Sequence, residues 1–306
     1  MARAAVRVSI IIPTRDRPGP LVECLSALAN SFPSDAETIV VSDNGLVPLE
    51  NYVGPFVEPL RLRCVTGRGR GPAAARNCGL VVAAGDVVCF TDDDCTPRFG
   101  WVDALRSGVS ASPPRAAGGT TVNGLALNPY ADAAQLVLDL IERHNLETGT
   151  SVRFVPSNNI AFPTAVLRKV GGFDESFRTA EDRELCRRWL RAGFALHRIP
   201  EAIVEHRSDL NLRSFIRQFF TYGQGAAKFH ASAEIGSLRE TARFHLRLPM
   251  LARRDVVARG FKRGSALSTL LIIWELSNLA GFVAAGRRPK WALINNVKTN
   301  PSGLPE

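Results

Sequence analysis

The sequence predicts an α/β protein with a mainly parallel, twisted sheet flanked by helices, followed by a basic helical region. Strand-like and helix-like patterns alternate through the first half of the chain, which is typical of a parallel sheet with helical crossovers. The strand patterns are near-continuous runs of apolar, β-branched residues, as expected for strands covered on both faces. With 306 residues and 45% hydrophobic content, the chain can bury one large core or two modest ones.

Four strands are predicted in the first half, at residues 8–12, 37–42, 60–65 and 87–90. The helix after the first strand is indicated by Leu21, Leu25 and Leu28, with Asn30 near its end. Residues 73–84 form a second predicted helix, which leads into the fourth strand. The carboxyl ends of these strands are where an open α/β sheet binds its ligands.

Three consecutive carboxylates, Asp92, Asp93 and Asp94, follow the fourth strand. Asp is depleted in strands, so the triplet marks the loop at the carboxyl end of that strand. Adjacent carboxylates repel one another, and a hard divalent cation such as Mg²⁺ or Mn²⁺ relieves that repulsion. A solvated acidic turn explains the triplet equally well, so both interpretations stay open from these residues alone.

Three other features of the first half suggest a binding role. Asp43 follows the second strand, where a carboxylate can accept hydrogen bonds from a base or ribose, although a plain Asp-Asn-Gly turn needs no function. Arg76 lies among small residues in the second helix, and such an arginine usually reaches for a partner. The Gly-rich basic loop at 67–71 either binds phosphate or is a flexible surface loop.

The second half is predicted to be more irregular. Helices are expected at 99–109, 132–144 and from 182 to 193, with a loop at 110–119 and a glycine-stopped helix end at 167–174. Short strands are expected at 152–156, 159–162, 194–199 and 202–204. Thr179 and Asp182 have the spacing of a capping box, so spacing alone favours a structural role for Asp182 at a helix start.

Basic charge is concentrated at the end of the chain. Residues 207–306 hold 16 Lys and Arg against 6 Asp and Glu, a net charge of +10. The whole chain carries +9, so residues 1–206 carry a net charge of −1. Aromatic and small residues recur there at helical spacing: Phe215, Phe219, Tyr222, Ala226 and Phe229. This pattern fits either a buried helix or a basic amphipathic helix on anionic lipid. No nucleic-acid-binding motif or regular basic–aromatic interleaving is present, so no nucleic-acid partner is expected.

Residues 266–285 are apolar and long enough to span a bilayer, but Glu275 lies near their middle. A central charge costs about 2.5–3.5 kcal/mol on insertion scales, so we favour surface attachment or core packing. The start of the chain carries no signal-peptide pattern, and the six cysteines have no metal-ligand spacing, as in a cytosolic protein with reduced thiols. These features predict a cytoplasmic protein, peripheral on the inner face of the cell membrane.

Eight short motifs occur in family order across residues 7–206. They are SIIIPTRDR (9–17), IVVSDNG (39–45), GPAAARNCG (71–79), DVVCFTDDD (86–94), SNNIA (157–161), VGGFDE (170–175), AED (180–182) and VEH (204–206). With these motifs the chain resembles the family-2 glycosyltransferases, inverting enzymes of the GT-A fold. The resemblance implies a catalytic domain at 1–206 and leaves 207–306 as a helical, basic region for membrane or acceptor contacts.

The resemblance also implies a reaction and its ligands. The enzyme would move a sugar from a nucleoside-diphosphate sugar to a hydroxyl of a glycan, lipid-linked or polysaccharide acceptor. A UDP-sugar is the first expectation, with GDP- and dTDP-sugars as alternatives, and a divalent cation, Mn²⁺ or Mg²⁺, would sit on the diphosphate. From another functional class, a non-catalytic module that binds nucleotide sugars or anionic polymers is the alternative.

Roles for individual residues follow from the same resemblance. Asp182 would be the general base, and Asp94 and His206 would hold the metal. The expected substrate-binding residues are Pro13, Thr14 and Arg15 in the nucleoside pocket, Asp43 at the base, Arg76 near the nucleotide, Asp92 and Asp93 at the ribose and diphosphate, Asn158 and Asn159 at a sugar, and Glu181 beside the general base.

Overall fold

The computed structural model describes residues 7–147, 152–232 and 235–286. The strands are β1 (Val8–Thr14), β2 (Ala36–Ser42), β3 (Leu62–Thr66), β4 (Val87–Phe90), β5 (Cys95–Pro97), β6 (Ser110–Ala111), β7 (Pro114–Asn123), β8 (Ile160–Pro163) and β9 (Ala195–His206). The helices are α1 (Pro18–Ala29), α2 (Glu50–Val53), α3 (Pro72–Val82), α4 (Trp101–Gly108), α5 (Pro129–Glu147), α6 (Thr164–Val170), α7 (Glu181–Arg191), α8 (Leu212–Ala231), α9 (Ile235–Ala258) and α10 (Gly260–Gly286).

The strands form one mixed sheet in the order β3-β2-β1-β4-β8-β7-β9-β5, and β6 pairs with β7. The first four strands in that order run parallel, as predicted. β8 then pairs antiparallel with β4, and β7 pairs antiparallel with β8 and parallel with β9. Because β1, β2 and β4 are parallel, their carboxyl ends meet at one edge, where Asp43 and the acidic triplet follow.

Helices cover both faces of the sheet because successive side chains of each strand point to opposite sides. Ile10 and Ile12 of β1 belong to one apolar cluster with Leu21 and Leu25 of α1. Ile11 between them belongs to the other cluster, which includes side chains of α3, α6 and α7. The near-continuous apolar strands of the sequence therefore reflect burial on both faces, as predicted. All six cysteines lie within the described residues and are free thiols.

A third apolar cluster joins α5 to α8, α9 and α10. It includes Leu136 and Leu140 of α5 together with Phe215, Phe219 and Trp274 of the later helices. The predicted helical region after residue 206 is therefore present, and β9 ends at His206. This region shares its core with α5, so a helix from the first part of the chain helps to hold the C-terminal helices in place.

α10 is the one helix in the described parts of the chain that is long and apolar enough to cross a membrane. Only 33% of an apolar 18-residue stretch of this helix is buried in the protein. Leu267 and Trp274 of α10 lie in the third cluster, whereas Leu276 is 62% exposed. Glu275, the charge near the middle of this helix, lies 2.8 Å from Nδ1 of His245 in α9. One side of α10 therefore packs in the core, and the other side is an exposed apolar surface.

Several predicted elements of the second half are wrong. Residues 110–119 were expected to be a loop, but most of them belong to β7, and no strand forms at 152–156. A Cβ atom at Gly118 would lie 2.3 Å from Val155, and one at Gly119 would lie 2.0 Å from the carbonyl oxygen of Ala202. The small residues that suggested a loop are instead required because neighbouring chain segments approach this strand closely.

The two short strands predicted at 194–199 and 202–204 are a single strand, β9. β7 is paired with β9 through Gly118 with Arg198, and then again through Thr120 with Ile203. Four residues of β9 therefore lie opposite one residue of β7, which is an extended bulge around Pro200. Proline cannot donate a ladder hydrogen bond, so it interrupts the strand pattern in sequence without ending the strand.

Candidate active site

A cavity of about 1820 Å³ opens at the carboxyl edge of β1, β2 and β4 and extends between α5, α7, α8, α9 and α10. The residues predicted for the site line it, with the exception of Asn159. They are Pro13, Thr14, Arg15, Asp43, Arg76, Asp92, Asp93, Asp94, Asn158, Glu181, Asp182 and His206. The fold thus brings together residues that are widely separated in sequence.

Asp93 is the most enclosed carboxylate of the triplet. The hydroxyl of Thr14, at the end of β1, donates a 2.7 Å hydrogen bond to Asp93 Oδ2. Arg17 Nη1 lies 2.9 Å from Asp93 Oδ1. Burial raises the pKa of Asp93 to about 6, although Arg17 and Thr14 oppose this shift. Its contacts with Thr14 and Arg17 fix the start of the acidic loop to the end of β1.

Asp94 lies between a guanidinium and an imidazole. Arg17 Nη2 is 2.9 Å from Asp94 Oδ2, and His206 Nε2 is 3.4 Å from Asp94 Oδ1. Burial alone would raise the pKa of Asp94, but His206 and Arg17 outweigh it and hold the pKa well below its usual range. Asp94 is therefore an ionised carboxylate that faces the cavity.

The ligand atoms of Asp94, Cys95 and His206 lie within 4.8 Å of one another. A carboxylate oxygen and an imidazole nitrogen suit Mn²⁺, and the carboxylate suits Mg²⁺. Burial raises the pKa of Cys95 well above its usual value, so its thiol stays protonated and is a poor ligand for these hard cations. Asp94 and His206 therefore fit a divalent cation, and Cys95 is a buried neighbour.

Arg76 has two carboxylate partners. Its Nη2 lies 2.6 Å from Asp92 Oδ1, and its Nη1 lies 2.8 Å from Glu181 Oε1. The side chain is 3% exposed, and α3 can carry it so close to the sheet because Gly79 packs directly on Ile11. The partner that the sequence implied for Arg76 is thus a pair of carboxylates from two different parts of the chain. This bridge connects the acidic loop with the start of α7.

Asp43 has one oxygen with a partner and one without. The backbone N–H of Gly71 donates a 2.8 Å hydrogen bond to Asp43 Oδ2. Gly71 has φ of +101°, a conformation that favours glycine, and it belongs to the Gly-rich loop noted in the sequence. Asp43 Oδ1 is buried and accepts no hydrogen bond from any residue that the structure describes. Asp43 itself lines the cavity, so this unsatisfied oxygen marks the carboxylate as a candidate ligand contact.

The capping box expected at Asp182 does not form. The N-cap position of α7 is Ala180, with φ of +65° and no side-chain cap, and the Thr179 hydroxyl donates instead to the carbonyl oxygen of Thr221. Asp182 accepts hydrogen bonds from the backbone N–H groups of Ser157 (3.2 Å) and Arg183 (2.8 Å). The Asp182 side chain is therefore held by the loop before β8 and does not cap α7.

The environment of Asp182 favours proton uptake. Burial raises the pKa of Asp182. Burial and the adjacent charge of Asp182 likewise raise the pKa of Glu181. Glu181 is buried and bonded to Arg76, whereas the hydrogen bonds that Asp182 accepts come from backbone N–H groups. Asp182 is thus the carboxylate of the pair that is better placed to accept a proton from a ligand.

Asn159 does not occupy the position expected of a sugar-binding residue. It is fully buried, and its Oδ1 accepts a 2.8 Å hydrogen bond from Trp101 Nε1. Its Nδ2 donates to the carbonyl oxygens of Thr120 (3.0 Å) and Ala202 (2.9 Å). The amide therefore joins α4 to β7 and β9. Its neighbour Asn158 does line the cavity and accepts a hydrogen bond from the Thr121 hydroxyl.

The two asparagines are expected to differ in their effect on stability. Asn159→Ala leaves one donor and two carbonyl acceptors unpaired in the core, so it should lower the free energy of unfolding by at least about 2 kcal/mol. Asn158→Ala is the matched control. It should lower the free energy of unfolding by no more than about 1 kcal/mol, because it loses only the hydrogen bond from the Thr121 hydroxyl. Urea denaturation of both variants measures the difference, and equal losses would contradict the structural role of Asn159.

Sequence reasoning did not assign roles to several charged residues of the cavity. Arg17 is the clearest example, because its guanidinium contacts both Asp93 and Asp94. The available signal was its place in the loop after β1, at the same sheet edge as the triplet. Arg183 and Arg187 of α7 also line the cavity, one and five residues after Asp182. Nothing in their sequence pattern separates them from surface arginines.

The far end of the cavity is lined by aromatic and polar side chains of α8, α9 and α10, which include Tyr222, Phe229, His245 and Trp274. The His245 ring stacks on Trp274 with ring centroids 5.5 Å apart, and its Nδ1 contacts Glu275. Burial and the charges of Asp182 and Glu181 raise the pKa of the Tyr222 hydroxyl, so this end of the cavity adjoins the carboxylates at the start of α7. One cavity therefore reaches from the acidic triplet to the C-terminal helices.

Two family models match the sequence. The model described as glycosyl transferase family 2 matches residues 9–171. The model described as glycosyl transferase family group 2 matches residues 136–296, which include α8, α9 and α10. The first match covers more than half of the chain and contains both the acidic triplet and Asp43.

Similar proteins include named glycosyltransferases. A pre-mycofactocin glycosyltransferase of Mycobacterium tuberculosis is 34% identical over 227 residues, which are 72% of this chain and 47% of the relative. The probable glycosyltransferase YdaM of Bacillus subtilis is 26% identical over 231 residues, 72% of this chain and 55% of the relative. The chain thus spans about half the length of these curated relatives.

The fold is also similar to that of solved structures. A mannosyltransferase from Pyrobaculum calidifontis, solved in complex with GDP-Man and Mn²⁺, matches with a TM-score of 0.64 and 18% sequence identity. The match covers 92% of this chain and 87% of the mannosyltransferase chain. The two chains therefore share a fold over most of their length.

Proposed function

The chain belongs to glycosyl transferase family 2 and has a GT-A fold, and from this premise we propose that it transfers a sugar from a nucleoside-diphosphate sugar to an acceptor hydroxyl within the cavity. The observation that carries the proposal is the single cavity in which Asp43, the acidic triplet and Asp182 face a common space. Family membership makes the chain an enzyme, so the alternative of a non-catalytic binding module is not retained.

The donor is proposed to bind at the carboxyl edge of β1, β2 and β4. Pro13, Thr14 and Arg15 line this part of the cavity, and Asp43 Oδ1 is a buried acceptor without a partner among the described residues. Such an oxygen is costly to leave unpaired, and an N–H of a nucleobase can satisfy it. Uracil, thymine and guanine each carry a ring N–H, which keeps UDP-sugars first and GDP- and dTDP-sugars as alternatives.

Asp94 and His206 are the residues proposed to hold a divalent cation, Mn²⁺ or Mg²⁺. A bound cation supplies Lewis-acid neutralisation of the charge that develops on the leaving diphosphate. Arg17 already contacts Asp94 Oδ2, so it must share or release that oxygen when the site is filled. Asp92 is held by Arg76, which leaves Asp94 as the carboxylate of the triplet next to His206.

Asp182 is proposed to accept the proton of the acceptor hydroxyl. The hydroxyl is a poor nucleophile until a positioned base takes its proton in the transition state, an effect of about 10²–10⁴-fold. The backbone N–H groups of Ser157 and Arg183 orient the Asp182 carboxylate, and burial raises its pKa. One direct displacement inverts the anomeric centre and needs no covalent intermediate with the protein.

A donor panel tests the proposed function. The purified protein would be incubated with UDP-, GDP- and dTDP-sugars, with and without Mn²⁺, and followed by thermal unfolding and donor hydrolysis. One nucleotide class should raise Tm when Mn²⁺ is present and should be hydrolysed slowly in the absence of acceptor. The proposal would be refuted if no donor raised Tm or was hydrolysed with either Mn²⁺ or Mg²⁺.

The C-terminal helices are proposed to rest on the cytoplasmic face of an anionic membrane. Phe261, at the start of α10, is 90% exposed, and Val257 of α9 is 70% exposed. Arg253, Arg254, Lys262 and Arg263 are exposed around them. An apolar tip surrounded by cations is the composition of an interfacial helix, and each Lys or Arg near an anionic leaflet contributes about 1 kcal/mol.

Flotation with anionic liposomes over a salt series distinguishes peripheral attachment from a membrane span. The protein should float at low salt and dissociate as salt rises, because the attraction is screened within about 8 Å at physiological ionic strength. Phe261→Ser should weaken flotation, whereas Phe99→Ser, the same change at an 85% exposed phenylalanine between β5 and α4, should not. Retention on vesicles until detergent is added, or no binding at low salt, would contradict the proposal.

A further inference from the structure

Two arginines lie directly beside the proposed base. Arg183 and Arg187 are one helical turn apart on α7, and both line the cavity. Their guanidinium carbons lie 4.9 and 4.5 Å, respectively, from the ring centroid of Phe229 in α8. Like charges at this spacing on a helix repel each other, so the pair is not held together by charge.

Neither guanidinium has a carboxylate hydrogen-bond partner in the part of the chain that the structure describes. For Arg183, the stacking on Phe229 and the charge of Asp182 are the interactions present, and burial lowers its pKa. Arg187 donates to two neutral acceptors, the carbonyl oxygen of Phe229 (3.4 Å) and the Ser232 hydroxyl (3.0 Å). Its Nε is buried and has no hydrogen-bond partner among the described residues.

Arg188, the next arginine of α7, is a structural arginine whose partners all belong to the protein. Arg188 contacts Glu184 through Nε and Nη2 at 2.7 Å and also donates to the carbonyl oxygens of Val170 and Gly172. Arg188 thus has all three nitrogens engaged, with a carboxylate among its partners. Arg183 and Arg187 lack this arrangement although they are on the same helix.

The other ionisable groups nearby do not neutralise the two arginines. Glu275, at the far end of the cavity, is paired with His245. Burial and the charges of Arg183 and Arg187 lower the pKa of His230 to about 4, so this histidine is neutral and adds no charge. Asp182 adjoins Arg183, but its oxygens accept backbone N–H groups. Glu184 is the carboxylate near Arg187, and it is hydrogen-bonded to Arg188. The local excess of positive charge suits an anion.

We infer that the acceptor carries an anionic group, a phosphate or a carboxylate, which Arg183 and Arg187 bind while Asp182 faces the acceptor hydroxyl. Two guanidinium forks match the geometry of either anion. Since Asp182 and the two arginines follow one another along α7, the anion and the reacting hydroxyl lie within about two helical turns, roughly 10 Å. The inference rests on the proposed function, because Asp182 is the base in that proposal.

Direct binding measurements on the full chain test this inference without turnover. Isothermal titration calorimetry at low ionic strength would compare methyl phosphate, methyl glucuronide and uncharged methyl glucoside. The variants would be Arg183→Gln and Arg187→Gln, with Arg217→Gln as a control that removes the same charge from an exposed position of α8 outside the cavity. Arg17→Gln reports whether an anion binds at the donor edge instead. Circular dichroism would confirm that each variant is folded.

We expect saturable binding of one or both anions and none of methyl glucoside. The affinity should fall about tenfold to a hundredfold in Arg183→Gln and in Arg187→Gln and stay unchanged in Arg217→Gln. Tighter binding of methyl phosphate identifies a phosphorylated acceptor, and tighter binding of methyl glucuronide identifies a uronate or other carboxylate. If one variant fails to fold, the other decides the outcome.

Three results would overturn the inference: no saturable anion binding to the wild-type protein, equal affinities in wild type and both variants, or loss of binding in Arg17→Gln alone. The Mn²⁺-dependent thermal response to donors is measured on the same samples. An intact donor response without an anion response refutes only the inference about the acceptor. Absence of the donor response refutes the proposed function itself.

Discussion

Asp182→Asn is expected to lower turnover by about 10²-fold or more while donor affinity barely changes. The backbone N–H of Ser157 bonds to Asp182 Oδ2 and that of Arg183 bonds to Oδ1, and Asn retains only one of these oxygens. The variant therefore loses one of the two hydrogen bonds, at a cost of about 1 kcal/mol in the free energy of unfolding. The amide cannot take a proton from the acceptor hydroxyl. Steady-state kinetics with the donor identified by the panel, together with a donor binding isotherm, measure the two effects separately.

Asp103→Asn is the control for this substitution. Asp103 is exposed on α4, pairs with Arg106 and does not line the cavity, so the same chemical change should leave turnover unaltered. A purely structural role for Asp182 predicts a different result, namely turnover close to wild type in Asp182→Asn and only the loss in the free energy of unfolding. That outcome would remove Asp182 from the reaction.

Asp94→Asn is expected to abolish the Mn²⁺-dependent stabilisation of the protein by a nucleoside diphosphate. Asp94 is the ionised carboxylate that faces both the cavity and His206, and a neutral amide is a much weaker ligand for a hard cation. A ligand at a hundredfold excess over Kd stabilises the folded state by about 2.7 kcal/mol, so the loss is easily measured. Thermal unfolding with and without Mn²⁺ gives the comparison.

The metal prediction has its own control. Asp103→Asn should retain the full difference in Tm between samples with and without Mn²⁺, because that residue lies outside the cavity. If Asp94→Asn also kept the full difference, Asp94 would not be the metal ligand. The cation would then have to be held by another residue of the triplet or by His206 alone.

The first part of the fold could be predicted because its signals are local. Each of β1, β2 and β4 is a short apolar run that ends in a polar motif, and parallel pairing brings those ends to one edge. Thr14, Asp43 and the acidic triplet are therefore neighbours as soon as the sheet order is known. Arg76 could be singled out because the small residues around it left its charge without an obvious partner.

The rest could not be predicted because it depends on distant parts of the chain. Gly118 and Gly119 suggested a loop, and only the approach of Val155 and Ala202 explains why glycine occupies a strand there. Asn159 belongs to a motif associated with sugar contacts, yet Trp101, 58 residues away, takes its side-chain oxygen. No pattern within a short window contains either partner.

The same limit applies to the charged residues of the cavity. Arg17 lies 77 residues before Asp94 in the sequence. Its role as the counter-ion of Asp93 and Asp94 is visible only in the folded chain. Arg183, Arg187 and Arg188 look alike in sequence, and only Arg188 has a carboxylate hydrogen-bond partner among the described residues. Which arginines are structural and which remain available to a ligand is decided by three-dimensional contacts.

The central claim is that the donor is bound in this cavity through a cation on Asp94. Crystals soaked with Mn²⁺ and the nucleoside diphosphate that raises Tm most, measured near the manganese absorption edge, test it directly. We expect an anomalous peak within coordination distance of Asp94 and His206, with the nucleobase against Asp43 and Arg17 shifted from Asp94. Nucleotide density elsewhere on the protein, or a bound nucleotide with no manganese peak beside Asp94, would contradict the account.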